Sequence, residues 1–467
     1  MNLTIWGAAK QVTRSMHLLE INNYKILIDC GLDYEKGKNL THNSQFPFSP
    51  SDIDLVVLTH AHIDHSGNLP TLIKEGYTGQ ILCTAATAEL AQILLSDSVN
   101  LFLGNNNNVK KKKRFKGKQF QETTEKAPLY LHKHVLDTID RFVTIPFQKP
   151  FQINSNIVLE LYPTGHLLGA AAAHFTVQDN GATKTIAFTG DIGRKQTPIL
   201  VDPVALPKTD FLVSESTYGG KLHTNQQNIE DFLIDSIQKN CIDQPGRLII
   251  PAFSVGRTQS LVYILNKIFS KKLLKPIPVF VDSPLANLAT DIHRKYKHIL
   301  NDEVQEFYRT HGDKFEFENL SYVKQLKESK EIANHFEPCI IISSAGMLEG
   351  GRIQDHLYRN IQNVYATILF IGYCAEGTLG HRLLRGDNTV RLKGKEMSVF
   401  AKITKTDLFS GHADHNGLLE YIRLIDGLPK QVFLVHGEPI GMEALKKDIE
   451  SFGCQVNIAH KGNVFIL

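Results

Sequence analysis

A dense group of potential metal ligands occupies residues 59–65, where the chain reads Thr-His-Ala-His-Ile-Asp-His directly after an apolar run. Side chains two positions apart lie on the same side of an extended segment, so His60 and His62 can bind one ion. Asp64 and His65 begin a second group of ligands. Neutral imidazole and carboxylate suit zinc and its neighbours. The segment therefore predicts a two-metal hydrolytic site.

The alternative interpretation is three ordinary surface histidines held by hydrogen bonds. The chain has 20 histidines in 467 residues, and at that frequency the His-x-His-x-x-His spacing is expected only about 0.04 times by chance. The metal interpretation is therefore favoured. Two ions need further ligands from distant parts of the chain, and His166, Asp191 and His436 are the candidates.

These candidates follow apolar segments that have the composition of β-strands. Such segments alternate with helical stretches throughout, which predicts an α/β fold. His166 follows the predicted strand 157–162, Asp191 follows 185–189 and His436 follows 431–435. Because strand ends converge at one edge of an α/β sheet, we expect a reactive cleft there.

The overall composition is that of a soluble globular protein, with 42% hydrophobic and 21% charged residues. No window approaches the roughly 20 apolar residues of a membrane span, and no secretory signal is evident. The 6 cysteines are scattered and form no Cys-x-x-Cys motif. We therefore expect a cytoplasmic protein with reduced thiols and no membrane partner.

Local charge is concentrated at residues 110–118, which hold seven basic residues in nine positions. Such a run is typical of a solvated, mobile loop. An arm that contacts phosphates is the alternative. The net charge of +3 permits a polyanionic substrate without requiring one.

The order of motifs resembles that of one known family. Asp29, the cluster at 60–65, His166 and Asp191 occur in the order typical of the metallo-β-lactamase fold family. Three later segments are similar to the motifs of its β-CASP nucleases: Ser214-Glu-Ser-Thr-Tyr-Gly219 with Glu215, Phe409-Ser-Gly-His-Ala-Asp414 with His412, and Leu434-Val-His-Gly-Glu438 with His436. The resemblance covers nearly the whole chain and is closest to the branch of the messenger-RNA 3′-end-processing endonuclease and its prokaryotic relatives.

The resemblance implies a fold and a division into domains. The fold would be a four-layer αββα metallo-β-lactamase core with an inserted α/β β-CASP domain. The core would comprise residues 1–218 and 393–467, and the insert residues 219–392. The active site would lie in the groove between them.

The resemblance also implies a role for each motif residue. His60, His62 and His166 would hold one Zn²⁺, Asp64, His65 and His436 the other, with Asp191 bridging. Two Zn²⁺ per chain are expected, with Mn²⁺ as the alternative. Asp29 would orient the ligands by hydrogen bonds, and His412 beside Glu215 would donate a proton. Without the family, His412-Ala-Asp-His415 also reads as a further metal half-site, because it repeats the spacing of His62-Ile-Asp-His65.

The implied activity is that of a zinc-dependent endoribonuclease. It would cleave single-stranded RNA with metal-activated water and leave 5′-phosphate and 3′-hydroxyl ends. His436 favours RNA, since DNA-cleaving members tend to carry an apolar residue in the third motif. The alternatives are a 5′-exoribonuclease of the same family, an inactive RNA-binding scaffold and a small-ester metallo-hydrolase. A homodimer or a partner in a processing complex also remains open.

Five residues of the insert are candidates for binding substrate phosphates: Ser343, Ser344, Gly346, Arg352 and Arg257. Hydroxyl, backbone N–H and guanidinium groups hold phosphates in many proteins. A glycine-rich turn capped by serines is the alternative, and Arg257 could equally pair with a structural carboxylate. Asp282 is expected to tie the insert together rather than to act in chemistry.

Overall fold

The computed structural model describes residues 1–33, 40–114, 128–179, 181–224, 227–335 and 337–467, without the side chains of residues 40, 41, 102–114 and 333. The basic run at residues 110–118 falls outside the described side chains. The chain divides into two compact units. The core unit comprises Met1–Ile192, Pro203–Lys221 and Asp414–Leu467, and the insert unit comprises Gly193–Asp202 and Leu222–Ala413. The predicted divisions after residues 218 and 392 stay predictions.

The first part of the core unit supplies most of its strands. They are β1 (Asn2–Ile5), β2 (His17–Ile21), β3 (Tyr24–Ile28), β4 (Leu55–Val57), β5 (Gln80–Cys83), β6 (Phe142–Thr144), β7 (Phe151–Asn154), β8 (Ile157–Pro163), β9 (Ala171–Asp179), β10 (Ala182–Phe188) and β11 (Phe211–Glu215). The helices are α1 (Ile63–Ser66), α2 (Leu69–Lys74), α3 (Ala85–Arg114) and α4 (His132–Ile139). Short 3₁₀ turns occupy Leu40–Ser44 and Pro50–Asp52.

The insert unit alternates helices and strands. Its helices are α5 (Ile229–Ile237), α6 (Arg257–Ser270), α7 (Pro284–Lys295), α8 (Asp302–His311), α9 (Leu326–Ala333), α10 (Ile353–Asn360) and α11 (Leu379–Leu384). Its strands are β12 (Arg247–Pro251), β13 (Val279–Asp282), β14 (Leu320–Tyr322), β15 (Cys339–Ser343), β16 (Ala366–Phe370), β17 (Thr389–Leu392), β18 (Lys395–Ser398) and β19 (Lys402–Lys405). A π-helical turn spans Gln238–Ile242, and a 3₁₀ turn spans Lys297–Ile299.

The chain completes the core unit with α12 (His415–Arg423), β20 (Gln431–Val435), α13 (Pro439–Glu450), β21 (Gln455–Ile458) and β22 (Asn463–Ile466). The two sheets of this unit run β22-β1-β2-β3-β4-β5-β6 and β21-β20-β11-β10-β9-β8-β7. Thus both ends of the chain contribute to both sheets.

The two sheets share one apolar core. Leu19 and Ile26 from one sheet belong to the same buried cluster as Phe175, Phe188 and Phe433 from the other. Helix α3 contacts β6, and α13 contacts β20 and β21, so helices cover each sheet. This is the predicted αββα arrangement, which is confirmed. None of the helices within the described residues has both the length and the apolarity that a membrane span requires.

The insert unit contains a six-stranded sheet in the order β14-β13-β15-β12-β16-β19, with every pairing parallel. Leu248, Ile249 and Ile250 of β12 are fully buried. Continuous apolar strands are expected where helices cover both faces of a parallel sheet. The predicted α/β character of the insert is confirmed.

A lysine buried in the insert unit provides a test of this packing. Lys314 is 0% exposed, and its Nζ makes no hydrogen bond with the described residues. It lies over the rings of Tyr308 and Phe315, 4.9 and 4.7 Å from their centroids. Burial lowers its pKa from 10.5 to about 7, although Asp313 partly opposes the shift. The unfolded chain therefore binds one more proton than the folded chain between those pH values.

We expect Lys314→Met to stabilise the protein near pH 7.5, by on the order of a few kcal/mol, because no charge then has to be lost on folding. The stability of the wild type should rise with pH between about 7 and 10.5, where the unfolded state binds more protons. The variant should lack this rise. Urea unfolding followed by circular dichroism would measure both effects, with Lys330→Met as the control because Lys330 is exposed. Parallel pH curves for wild type and Lys314→Met would contradict the expectation.

Candidate metal centre

The predicted ligands lie in segments that follow strands of the core unit, and two of them, Asp64 and His65, fall within the short helix α1. The cluster at residues 60–65 follows β4, His166 follows β8, Asp191 follows β10 and His436 follows β20. Strand β4 pairs in parallel with β3. In the other sheet, β11 pairs in parallel with both β10 and β20. The carboxyl ends of parallel strands meet at the same edge, which is why residues distant in sequence converge here.

The first ligand set comprises His60, His62, His166 and Asp191. The Nδ1 atom of His62 lies 3.2 Å from His60 Nε2 and 3.1 Å from His166 Nε2. Asp191 Oδ2 lies 3.5 Å from the Nε2 atoms of both His60 and His166. Four donor atoms therefore face one another.

The second ligand set comprises Asp64, His65 and His436. The Nε2 atoms of His65 and His436 are 3.4 Å apart, and His436 Nε2 is 3.5 Å from Asp64 Oδ2. Asp191 approaches this set with its other oxygen, Oδ1, which lies 3.3 Å from His65 Nε2. One carboxylate thus presents one oxygen to each set.

The spacing of these atoms fits a divalent metal. Donors bound tetrahedrally at 2.0–2.2 Å from zinc are about 3.3–3.6 Å apart, and the separations in the first set are 3.1–3.5 Å. Asp191 Oδ1 is buried and accepts no hydrogen bond of ordinary geometry from the described residues, although His65 Nε2 is near. Since buried polar atoms are normally satisfied, both observations favour a cation between the donors.

The Asp29 carboxylate determines which nitrogen of His65 carries a proton. It accepts hydrogen bonds from the Thr59 backbone N–H (2.8 Å), the Thr59 hydroxyl (3.0 Å), the Ser15 hydroxyl (3.3 Å) and His65 Nδ1 (2.7 Å). An ionised carboxylate can only accept. The proton of neutral His65 is therefore on Nδ1, and the lone pair of Nε2 is free for a metal.

Two threonines have the same effect on other ligands. The Thr59 hydroxyl donates to Asp29, so its oxygen accepts from His60 Nδ1, 3.2 Å away. The Thr217 hydroxyl donates to the backbone oxygen of His436 (3.1 Å), so it accepts from the Nδ1 of that residue (3.0 Å). Both imidazoles consequently present Nε2 to their ligand sets.

Sequence reasoning missed Thr59, Thr217 and Ser15. Thr59 directly precedes the histidine cluster, and Thr217 lies inside the first β-CASP-like motif, so proximity to ligands was an available signal for both. Ser15 had no such signal, because it is 14 residues from Asp29, its partner.

The electrostatics of the centre keep its carboxylates ionised. The same carboxylates outweigh burial and raise the pKa of His65 and His436, so a metal would displace protons from these two imidazoles. Burial lowers the pKa of His60 well below its usual value and keeps the imidazole neutral. Burial acts to raise the pKa of Asp64, but contact with His436 and the charges of His65, His436 and His62, when these imidazoles are protonated, lower it to about 2. For Asp191, His436, His65 and His60 outweigh burial and lower the pKa well below its usual value. Both carboxylates are therefore ionised, as metal binding requires.

The backbone is strained where it presents these groups. Asp29 has φ = 59° and His436 has φ = 49°, in the left-handed region that few non-glycine residues adopt. Next to Asp191, Gly190 has φ = 55°, and a Cβ there would lie 2.7 Å from the Thr59 side chain. Such strain is typical of positions held in place by a functional site.

The predicted proton-transfer residues lie in different units. Glu215 ends β11 in the core unit, buried, and its carboxylate accepts from the backbone N–H groups of Ile192 and Thr217. His412 belongs to the insert unit, where its backbone oxygen accepts a hydrogen bond of 3.0 Å from His223 Nε2. Their predicted pairing stays a prediction.

The residues after His412 have structural roles. Asp414 caps α12 by accepting from the Gly417 N–H (2.9 Å). His415 accepts from the Gly220 N–H at Nδ1 (2.9 Å) and contacts Asp448 with Nε2 (2.8 Å). Because both nitrogens of His415 are already used, the interpretation of 412–415 as a metal half-site loses one of its ligands.

Asp282 ties the insert unit together, as predicted. Its carboxylate bonds to Arg352 Nη1 (2.7 Å), His356 Nε2 (2.7 Å) and the Ser329 hydroxyl (2.6 Å). Its backbone oxygen accepts from Ser343 Oγ (2.8 Å). Of the five predicted phosphate contacts, Ser343 and Arg352 are therefore engaged in this structural network.

The other three predicted contacts follow the carboxyl ends of two strands: Arg257 comes after β12, and Ser344 and Gly346 come after β15. Ser344 Oγ is 2.9 Å from Ser283 Oγ. The guanidinium of Arg257 lies over the Phe253 ring, 4.6 Å from its centroid. Gly346 lies against the same ring, because a Cβ there would be 3.1 Å from Phe253.

Comparisons with known proteins match the whole arrangement. Family models match residues 10–239 (metallo-beta-lactamase superfamily), 258–383 (Beta-Casp domain) and 396–459 (Zn-dependent metallo-hydrolase RNA specificity domain). The chain is 30% identical to a ribonuclease of Thermus thermophilus over 463 residues, which are 99% of each protein. It belongs to the β-CASP family of metallo-β-lactamase-fold ribonucleases.

This β-CASP protein has other relatives. It is 30% identical to the transcription termination factors FttA of Methanosarcina mazei and Methanocaldococcus jannaschii, over 94% of this chain and 67% of each factor. A solved structure of a protein of unknown function from Enterococcus faecalis covers 100% of the chain with a TM-score of 0.54. At 13% identity over 99% of that protein, this likeness shows the fold alone.

Proposed function

We propose that this β-CASP protein is a zinc-dependent endoribonuclease that cleaves single-stranded RNA and leaves 5′-phosphate and 3′-hydroxyl ends. The observation that carries the proposal is the pair of ligand sets with Asp191 directed at both. A likeness of 99% coverage to a ribonuclease supports RNA as the substrate.

His60, His62 and His166 would hold one zinc ion, Asp64, His65 and His436 the other, and Asp191 both. When bound, two zinc ions supply Lewis-acid stabilisation of the scissile phosphate and lower the pKa of a water molecule. The protein fixes the direction of each imidazole in advance, through Asp29, Thr59 and Thr217. Such preorganisation reduces the reorganisation needed during reaction.

His412 is the proposed donor of the proton that the departing 3′-oxygen requires. The P–O3′ bond breaks as the water oxygen bonds to phosphorus, so phosphate stays on the 5′ end of the downstream fragment. No 2′-hydroxyl attack is involved, and no cyclic phosphate forms. General-acid catalysis of this kind contributes about 10²–10⁴-fold.

The insert unit is proposed to hold RNA phosphates. Three serines follow the carboxyl ends of β12, β13 and β15: Ser254, Ser283 and Ser344. The hydroxyl oxygen of Ser283 lies 3.2 Å from that of Ser254 and 2.9 Å from that of Ser344. Helices α6 and α7 begin directly after two of these loops. Helix N-termini and hydroxyl groups favour phosphate at the carboxyl edge of a parallel sheet.

We expect the purified protein to make internal cuts in 5′-labelled single-stranded RNA and to leave DNA of the same sequence intact. Cleavage should stop when a chelator is added. The products should carry 3′-hydroxyl ends that a poly(A) polymerase can extend. Zinc content measured on the same preparation completes the test. Adding zinc back should restore cleavage.

Three other outcomes of this experiment would each contradict the proposal and favour a different function. Stepwise release of nucleotides from the labelled end would make the protein a 5′-exoribonuclease. A preparation with two zinc ions and no activity on RNA would favour a small-ester hydrolase. Absence of both metal and cleavage would favour the RNA-binding scaffold.

A further inference from the structure

A chain of hydrogen bonds extends from the Asp29 carboxylate to two residues without a role in the mechanism above. Ser15 Oγ lies 3.3 Å from Asp29 Oδ2 and 3.3 Å from His17 Nε2. Ser15 and His17 are each only 3% exposed. His17 stacks on Phe188, with ring centroids 6.2 Å apart.

The direction of each proton in this chain follows from its end at Asp29. The carboxylate can only accept, so the single hydroxyl proton of Ser15 points to Asp29. The Ser15 oxygen must then accept from His17, which places the proton of His17 on Nε2. Burial lowers the pKa of His17 to about 3, so the ring is neutral and carries no second proton.

His17 Nδ1 is therefore an acceptor that needs a donor. It is buried and has no hydrogen-bond partner among the described residues. His17 lines a cavity of about 10 Å³, together with apolar side chains such as Phe188 and Val213 and polar ones such as Ser15, Thr59 and Thr189. The volume is that of one water molecule, and the polar lining residues can serve as its hydrogen-bond partners.

We propose that Ser15, His17 and one buried water molecule form a relay that fixes the Asp29 carboxylate and thereby holds His65 with its Nε2 directed at the second ligand set. Ser15 and His17 are positioning residues, since they act through Asp29. The inference rests on the proposed binding of two zinc ions. Outer residues that orient a ligand typically change metal affinity by about 10–100-fold.

The test measures the release of zinc from the loaded protein to a chromogenic chelator. Ser15→Ala should release one of its two zinc ions about 10-fold or more faster. His17→Phe keeps the stacked ring but loses both nitrogens, so it should act in the same direction. The glutamine of His17→Gln can still donate an N–H to Ser15, so this variant should release zinc at a rate close to that of the wild type.

A matched control uses the same substitution elsewhere in the core unit. Ser98 is buried, and its hydroxyl bonds to Tyr130, 3.0 Å away, rather than to Asp29. Ser98→Ala should therefore leave zinc release unchanged. Thermal unfolding of every variant is measured in parallel, because a purely structural role would lower the melting temperature without changing zinc release.

A second background identifies the zinc ion concerned. His436→Ala removes a ligand of the second set and should hold one zinc ion. Adding Ser15→Ala to it should change release of that ion by less than about twofold, because His65 no longer holds a metal. Equal acceleration of both ions in the single variant would overturn the relay.

The two proposals fail in distinguishable ways. A wild type that binds fewer than two zinc ions contradicts the proposed function. A wild type with two zinc ions whose release is the same in Ser15→Ala and His17→Phe contradicts only the relay. A high-resolution crystal structure without a water molecule at His17 Nδ1 would also overturn the relay as stated.

Discussion

Replacing Asp191 with alanine will deplete zinc from both ligand sets and lower RNA cleavage by on the order of 10³-fold or more. Its Oδ2 faces His60 and His166, whereas its Oδ1 faces His65, so no other described residue serves both sets with a single side chain. Charge stabilisation by metal ions is worth several kcal/mol in the transition state, and each 1.36 kcal/mol is tenfold in rate.

Elemental analysis and a single-turnover RNA assay measure the two effects. Asp179→Ala is the matched control, because Asp179 is a buried carboxylate at the end of β9 that pairs with Lys184 (2.8 Å) and the amino terminus (3.2 Å). It should keep both zinc ions. Full occupancy of either set in Asp191→Ala would show that Asp191 is not shared.

Strand ends carried most of the correct sequence-based predictions. The predicted strand at residues 431–435 matches β20 (Gln431–Val435). Long apolar runs that end in a histidine or aspartate have a strong signal, because both the strand and the residue after it are unusual. Those positions therefore include the candidate ligands that the structure brings together into two sets.

The residue at which a helix begins was harder to predict from the sequence. The sequence alone favours a helix over residues 288–297, but α7 begins four residues earlier and spans Pro284–Lys295. Ser283 caps it by accepting from the Ala286 N–H, and proline is favoured in the first turn because its missing N–H has no partner there. In the sequence, Asp282-Ser283 has the pattern of a polar cluster at the end of a strand. Both descriptions are correct, since the strand ends and the helix begins within three residues.

The sequence could not predict which atoms receive the hydroxyl protons of the residues around the ligands. The roles of Thr59 and Thr217 depend on which partner receives a hydroxyl proton, and that depends on distances between residues far apart in the chain. The partner of Arg352 also depends on distances between residues far apart in the chain, because its guanidinium has the chemistry to bind either phosphate or a carboxylate. The structure shows it bonded to Asp282 and to the Lys324 backbone oxygen (2.9 Å).

We expect His412→Ala to retain two zinc ions yet lose about 10²–10⁴-fold in RNA cleavage, the range of a general acid. The two ligand sets already supply seven ligands without His412. The competing interpretation needs His415 as a ligand, but both nitrogens of His415 are engaged, by Gly220 and Asp448. His381→Ala in α11 is the control and should keep both zinc ions and full activity.

A substrate with sulfur in place of the scissile 3′-oxygen separates proton donation from any structural effect of this substitution. A thiolate leaves without protonation, so on this RNA the loss in His412→Ala should shrink to within about tenfold, because the acid is no longer needed. A variant that is equally slow on both substrates would show that His412 does not protonate the leaving group. Loss of a zinc ion would instead make it a ligand. Only retention of two ions together with rescue by sulfur is consistent with a proton donor.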